Sequence, residues 1–493
     1  MGEIGLGARR LHSRYNPQAE AERYLNSLVL RQDIRFFILI EPGLGYIIPI
    51  LQRKCPQARI IALHVRQEAV QAPVMPLTTG KPPVAWSPET GVPLQQFLEQ
   101  EIPDIEAAAI QVIEWRPALA VYGEGYRGLL VETVDFIKRI DANTRTICAF
   151  GSRWFSNFFK NLGILRRVYT APAGCLGSQP LIVTGAGPSL EETIPQIREL
   201  RKKGPLPVLA ASSSVPALMT RGIVPEFVIT SDGGGWALFH LYASLRHGNP
   251  SWGLAASLIA ALPSQCAHLP MLVISDGSLW QNLVLQGLHI PSINLTQRGT
   301  VTAQALDLAF VLTQGPIYIT GMDLANRDIR THARPYSFER FLEEKATRLN
   351  PVYTQGFVRS RAIEAGGSHT IYATWFSRQR KAYPRTVYSL GTNNPVFQDS
   401  ARNPQVFGLD PSVETEAITR RGMIRESFHA PDNPIKAGVD MLIAALAAPQ
   451  TAARINRELA PLLFPHRAEH PGSTEMQDKI LALLEPYYRS RHG

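Results

Sequence analysis

The sequence predicts an α/β protein with two parallel-sheet domains in tandem, followed by a mainly helical C-terminal region. Three observations predict it. Short apolar runs alternate with stretches of helical spacing, the pattern of strands joined by crossover helices. That pattern halts in TAPAGCLGSQP (residues 170–180) and then restarts. Beyond about residue 345 it gives way to a basic segment and to longer helical stretches. With 493 residues the chain exceeds what one core organises, so several domains are expected.

The first domain is read as residues 1–175. Residues 20–30 have helical spacing and lead into the apolar run Phe36–Ile40 and the turn EPGLGY, with Gly43 and Gly45. Residues 59–65, 119–122 and 146–150 are the further strand candidates, with helical stretches between them. The Pro-rich residues 72–93 read as a loop.

The second domain is read as residues 176–345. Its strand candidates are Leu181–Thr184, Val208–Ala211, Phe227–Thr230, residues 271–274, residues 292–295 and Ile317–Thr320. They end in TGAG, SSS, SDGGG, SDGS, TQRGT and TGMD. Ligands of doubly wound sheets bind at the carboxyl ends of the strands, so these endings should gather on one rim. The chemistry is expected there. Both domains are Rossmann-like in outline. The remainder, residues 346–493, reads as a basic linker and helices: VETEAITRRGMIRESF, KAGVDMLIAALAA and EMQDKILALLEPYYR. The apolar runs at 254–262 and 441–448 read as buried helices.

Composition narrows the function. Hydrophobic residues make up 45% and charged residues 18%, with a net charge of +9 that favours anionic ligands. Between residues 325 and 385 there are 12 Lys/Arg against 5 Asp/Glu, so most of the surplus is in one segment. The 4 cysteines are far apart, without CxxC or zinc spacing, which argues against a disulfide framework or structural metal. The N-terminus lacks the apolar stretch of a signal peptide, and no apolar run approaches the ~20 residues that span a bilayer. A cytoplasmic protein with no membrane partner is expected.

The endings carry the candidate site. In LIVTGAGPSL (residues 181–190), Gly185 and Gly187 permit positive φ and close backbone approach. Pro188 suits a first helical position and Ser189 offers a hydroxyl beside a helix N-terminus, a natural phosphate site. The turn is neither a P-loop, lacking its Lys, nor a dinucleotide fingerprint, having Leu190 where the third Gly belongs. Glu191 and Glu192 would satisfy the helix dipole without any ligand. Ser212 and Ser213 suit a ribose or base edge, or a simple cap. Asp232, before three glycines, could bind a metal, accept from a ribose, act as a base, or merely start a turn. In YITGMDLANRDIRTHARP, Asp323 is followed by Arg327, Arg330 and His332. A histidine near a carboxylate can move protons, and arginines can hold anionic oxygens. The aromatics among the basic residues (Tyr336, Tyr353, Tyr372, Trp375, with His369) would also suit single-stranded nucleic acid. No RNA-binding motif accompanies them, so a nucleic-acid partner is not expected.

GAGPSL, GIVPEFVITSD and GTVTAQALDLAFVLTQGPIYITGMDLA, followed by a His, resemble the Maf family of motility-associated glycosyltransferases. LHSRYNPQAEAERYL and GLGY resemble that family's first domain, so the likeness covers roughly residues 10–345. It departs from the family's commoner wording at GMDL and TSDGGG. The resemblance implies transfer of a nonulosonic acid (pseudaminic, legionaminic or sialic-like) from a CMP-activated donor to Ser/Thr of flagellin. It implies nucleotide contacts from Gly185, Gly187, Pro188, Ser189, Gly299 and Thr300, ribose contacts from Ser212, Ser213 or Asp323, and a base at His332 or Asp232. No cofactor is required by this chemistry. The central domain is also similar to archaeal 6-hydroxymethylpterin diphosphokinases, which use ATP and magnesium. Under that alternative Asp232 would be the metal ligand. A third possibility is a flagellin-binding protein without catalysis.

Overall fold

The computed structural model describes residues 10–31, 33–66, 82–102, 109–245, 251–326, 329–365, 372–373, 376–377, 383–391, 424–427, 431–465 and 471–489. The chain divides into two units, Met1–Ala149 and Phe150–Gly493.

In the first unit, β1 (Phe36–Ile40), β2 (Arg59–Leu63), β3 (Val84–Trp86) and β4 (Ile110–Glu114) form a parallel sheet in the order β3-β2-β1-β4. The apolar β1 is central, with Phe37, Ile38, Leu39 and Ile40 all buried. The EPGLGY turn follows it, and Gly43 and Gly45 take φ of 59° and 75°, a region that favours glycine. Leu44 N–H donates to His12 Nε2 at 2.9 Å, and a Cβ on Gly43 would collide with that imidazole.

Two expected strands here are helices. Residues 119–122 belong to the helix Pro117–Tyr122, which has Pro at its start and Gly123 at its end. Residues 146–150 lie inside the 39-residue helix Glu124–Leu162. Parallel strands are buried on both faces, whereas Thr146, Ala149 and Phe150 are exposed. Part of the Pro-rich stretch supplies β3 instead of loop.

The second unit contains β5 (Arg167–Thr170), β6 (Leu181–Thr184), β7 (Val208–Ala211), β8 (Phe227–Thr230), β9 (Gly253–Ser257), β10 (Met271–Ser275), β11 (Ser292–Asn294), β12 (Ile317–Thr320), β13 (Val387–Ser389) and β14 (Ile424–Ser427). Among the described residues they form one ten-stranded sheet, β13-β12-β6-β7-β8-β9-β10-β5-β14, with β11 beside β10. All pairs are parallel except β14 against β5.

Alternate residues of each strand enter different cores, the consequence of a two-residue period. Ile182, Val208, Ala210, Val228, Leu254 and Val273 face one side. Leu181, Val183, Leu209, Ile229, Leu272 and Ile319 face the other, packing with Leu306, Leu308 and Leu312 of the helix Val301–Leu312.

The C-terminal helices Pro434–Ala447, Pro449–Leu463 and Ser473–Arg489 close the first of these cores through Val439, Leu442, Ile455, Leu459 and Ile480. They therefore belong to the same unit as the central strands. Burial of each such leucine contributes roughly 2 kcal/mol. Two further readings change. Residues 253–257 form strand β9, and Ile424–Ser427 is a strand, not the helix expected from residue 413 onward. Residues 413–423 lie outside the described residues. Among the described residues, no helix is long and apolar enough to cross a membrane.

Candidate functional site

From β6 the chain steps outward through β7, β8, β9 and β10, then returns so that β12 pairs on the other side of β6. The order of the sheet reverses between β6 and β12, and the carboxyl ends of such strands diverge to leave a crevice. A cleft of about 240 Å³ occupies this place. The endings of β6, β7, β8 and β12 and the start of the helix Val301–Leu312 line it.

Gly187, Ser212, Ser213, Asp232, Thr300, Asp323 and His332 are all in its lining. Gly185, Pro188, Ser189 and Gly299 are not. Gly299 packs against the Tyr372 ring, where a Cβ would collide.

The GAGPSL turn is organised differently from the expected phosphate cradle. Gly185 N–H donates to Thr320 O at 2.8 Å and Gly187 N–H to Gly321 O at 2.7 Å. Ser189 N–H donates to Asp323 Oδ2 at 2.7 Å, and its hydroxyl donates to Asp323 Oδ1. These donors are engaged with the β12 ending. Neither Gly185 nor Gly187 takes a positive φ; Gly321 does, at 65°. The two glycines are needed for close approach. A Cβ on Gly187 would stand 2.7 Å from Asp323 Cγ and 2.8 Å from Gly321 O.

Asp323 is thus committed through both oxygens to the turn. Burial pushes its carboxyl above the ordinary value, and the two Ser189 hydrogen bonds offset part of that rise.

The amides at the start of the helix Val301–Leu312 are better placed for an anion. Thr300 caps this helix, its side chain accepting from Ala303 N–H at 3.1 Å. Thr300, Val301 and Thr302 line the cleft, and a helix leaves its first amides without intrahelical acceptors.

Asp232 is exposed, and its Oδ1 accepts from Gly234 N–H at 2.7 Å. Gly233 leaves room for Trp154. His332 is half-buried, stacked on Tyr336 with 4.1 Å between centroids, and its Nδ1 is 2.8 Å from Thr331 Oγ1. Arg330 lies 3.6 Å from Glu191. Arg327, His369 and Trp375 lie outside the described residues. Among the described residues no three potential metal ligands gather, so a magnesium ion at Asp232 would take most of its ligands from phosphates and water.

Sequence reasoning missed His240 and Thr302, both in the lining. His240 is on the helix Leu238–Leu245, directly after the SDGGG ending, with Nδ1 3.1 Å from Ser337 Oγ. Its place after a strand ending was a usable signal. Thr302 stands two residues beyond the TQRGT ending that indicated Thr300, within the first turn of the helix.

Known proteins can be set beside this geometry. Residues 153–328 match the family described as 6-hydroxymethylpterin diphosphokinase MptE-like. Among solved structures, the Maf glycosyltransferase from Magnetospirillum magneticum AMB-1 superposes with a TM-score of 0.53 at 12% identity, covering 99% of this chain and 85% of that one. The chain shares that protein's fold. The likeness read from the sequence is therefore matched in both its parts, centrally by the diphosphokinase-like family and along the chain by the Maf structure. A protein of Treponema pallidum (strain Nichols), described as uncharacterized, is 29% identical over 290 residues, 58% of this chain. The chain spans 61% of the length of this curated relative.

Proposed function

We propose that the chain is a glycosyltransferase that moves a nonulosonic acid from a CMP-activated donor, held in the cleft between the β6 and β12 endings, to a Ser or Thr hydroxyl of flagellin. The carrying observation is the convergence of Ser212, Ser213, Asp232, Thr300 and His332 on one volume at the point where the sheet order reverses. The shared fold with a Maf glycosyltransferase supports the same reading.

In this reaction the bond between the anomeric carbon and the phosphate oxygen breaks, CMP departs with the electron pair, and positive charge develops on the sugar. The first amides of the helix Val301–Leu312 steady the departing phosphate as preorganised donors. Ser212 and Ser213 offer hydroxyls to the ribose. His332 or Asp232 takes the acceptor's proton, since both line the cleft. Of the GAGPSL turn, Ala186 and Gly187 line the site beside Asp323, while the Gly185, Gly187 and Ser189 amides are engaged with the β12 ending, so the phosphate contacts are assigned to the helix.

The diphosphokinase-like match supports a second reading, pyrophosphoryl transfer from ATP with magnesium. Titration with CMP and, separately, with ATP plus magnesium, followed by thermal stability, separates the two. A ligand at a hundred times its Kd adds about 3 kcal/mol to a native state it binds exclusively. Stabilisation by CMP without metal is expected, together with a fall in transfer rate of about a hundredfold or more in His332→Ala. A response to ATP and magnesium alone would replace this reading with the kinase. Silence to both would leave a flagellin-binding protein without catalysis.

A further inference from the structure

A second cavity, of about 360 Å³, adjoins the cleft and shares Thr331 and His332 with it. Arg330, Arg334, Tyr336, Glu339, Glu343 and Tyr353 supply much of its remaining lining. Two arginines face two glutamates, so the charges of the lining balance. Both arginines already have carboxylates: Arg330 is 3.6 Å from Glu191, and Arg334 Nε is 2.9 Å from Glu339 Oε1. An anionic phosphate or sugar acid would have to compete with those pairs, whereas an uncharged, amphiphilic segment would not.

The rim points the same way. The helix Val352–Ala365 lines the cavity through Val352, Tyr353 and Gly356. Leu349, shortly before this helix, is 94% exposed, and the helix itself carries Tyr353 at 67%, Phe357 at 47% and Val358 at 61%. Of these, Tyr353 lines the cavity and Phe357 follows it one turn later on the same helix face, so exposed apolar surface continues from the lining along the helix. Such contiguous surface marks an interaction site more often than single exposed residues do.

We propose that the second cavity is the acceptor site. It seats a polypeptide whose apolar side chains lie on the 349–358 surface and whose Ser/Thr hydroxyl reaches His332 from the side opposite the nucleotide. This rests on the glycosyl-transfer reading. The hydroxyl oxygen bonds to the anomeric carbon as that carbon's bond to the phosphate oxygen breaks. The hydroxyl proton passes to His332, and the electron pair leaves with CMP.

The test measures transfer from CMP-activated nonulosonic acids to flagellin, with CMP affinity and acceptor-independent CMP release as separate readouts. Tyr353→Ala and Phe357→Ala alter exposed side chains and should fold. Each is expected to raise the KM for flagellin about tenfold while CMP affinity stays at the wild-type value. Gly356→Leu, which fills the cavity, is expected to abolish transfer while acceptor-independent CMP release continues. If CMP affinity falls with the KM effect, the cavity belongs to the donor and the inference is overturned. If the wild type transfers sugar and no variant changes the KM or the transfer rate, the acceptor site alone is overturned. A wild type that binds no CMP and transfers nothing overturns the glycosyl-transfer reading, and the acceptor site with it.

Discussion

At the scale of single residues, the site depends on how closely two loops meet. Gly321, at a φ of 65°, places its carbonyl against the Gly187 amide, and Asp323 holds both the amide and the hydroxyl of Ser189. Asp323→Asn keeps an accepting oxygen for the Ser189 amide and sets an amide donor against the Ser189 hydroxyl, which can accept. The variant therefore mimics the protonated carboxyl, and both contacts persist in altered form. The pH dependence has a definite sign. Burial raises the Asp323 carboxyl above 3.8, so the folded state disfavours the ionised form. The wild-type contribution is then largest below 3.8 and falls as pH rises through the folded value, whereas the Asn variant has no such term. Urea unfolding of both proteins at acid and at neutral pH should show the wild type losing stability relative to the variant toward neutrality. A relative gain instead would mean that the Ser189 hydrogen bonds outweigh desolvation.

Single elements carry the next two expectations. Thr300 caps the helix Val301–Leu312 and lines the cleft, so Thr300→Ala should cost about 1 kcal/mol of stability. It should also weaken CMP binding, because the first turn loses its anchored geometry. Calorimetric titration with CMP checks this, and an unchanged affinity would remove the helix from the phosphate site. In the first unit, the turn after β1 leans on His12, whose Nε2 accepts from Leu44 N–H. Burial pushes His12 down to about 4 from 6.5, so the folded state prefers the neutral ring. A lowered histidine leaves stability intact above 6.5 and removes it as pH falls toward about 4. The full shift corresponds to about 3 kcal/mol. Acid unfolding of the first unit should be less steep over that window in His12→Gln, and an unchanged profile would place the acid sensitivity elsewhere.

For the second unit as a whole, the C-terminal helices and the central sheet have one core. Leu442 is fully buried among residues of both. Leu442→Ala should therefore lower stability by about 2–5 kcal/mol, through lost burial and the cavity left behind. The affected thermal transition should be the one that CMP raises. A loss confined to some other transition would show that the helices form a separate folding unit.

Six strands of the second unit were legible from sequence, five of them (β6, β7, β8, β10 and β12) because parallel strands buried on both faces read as short apolar runs. Their small or polar endings located the rim, and with it Asp232, His332, Ser212, Ser213, Thr300 and Asp323. Other features had no local signal. Residues 253–257 could be read as strand or helix, since a short apolar run fits either. Gly253 is settled by the Phe227 ring, which a Cβ would approach to 2.5 Å. The strand propensity of residues 146–150 was overridden within a long helix. The use of the GAGPSL amides was invisible too, because their acceptors, Thr320, Gly321 and Asp323, are more than a hundred residues away in the chain. The sequence by itself determined strand order along the chain and which endings carry polar groups, because both follow from local periodicity and composition. Which endings become neighbours, which donors stay free and which cavity adjoins the cleft were decided by the tertiary structure, where the pairing of β12 with β6 brings remote loops into contact.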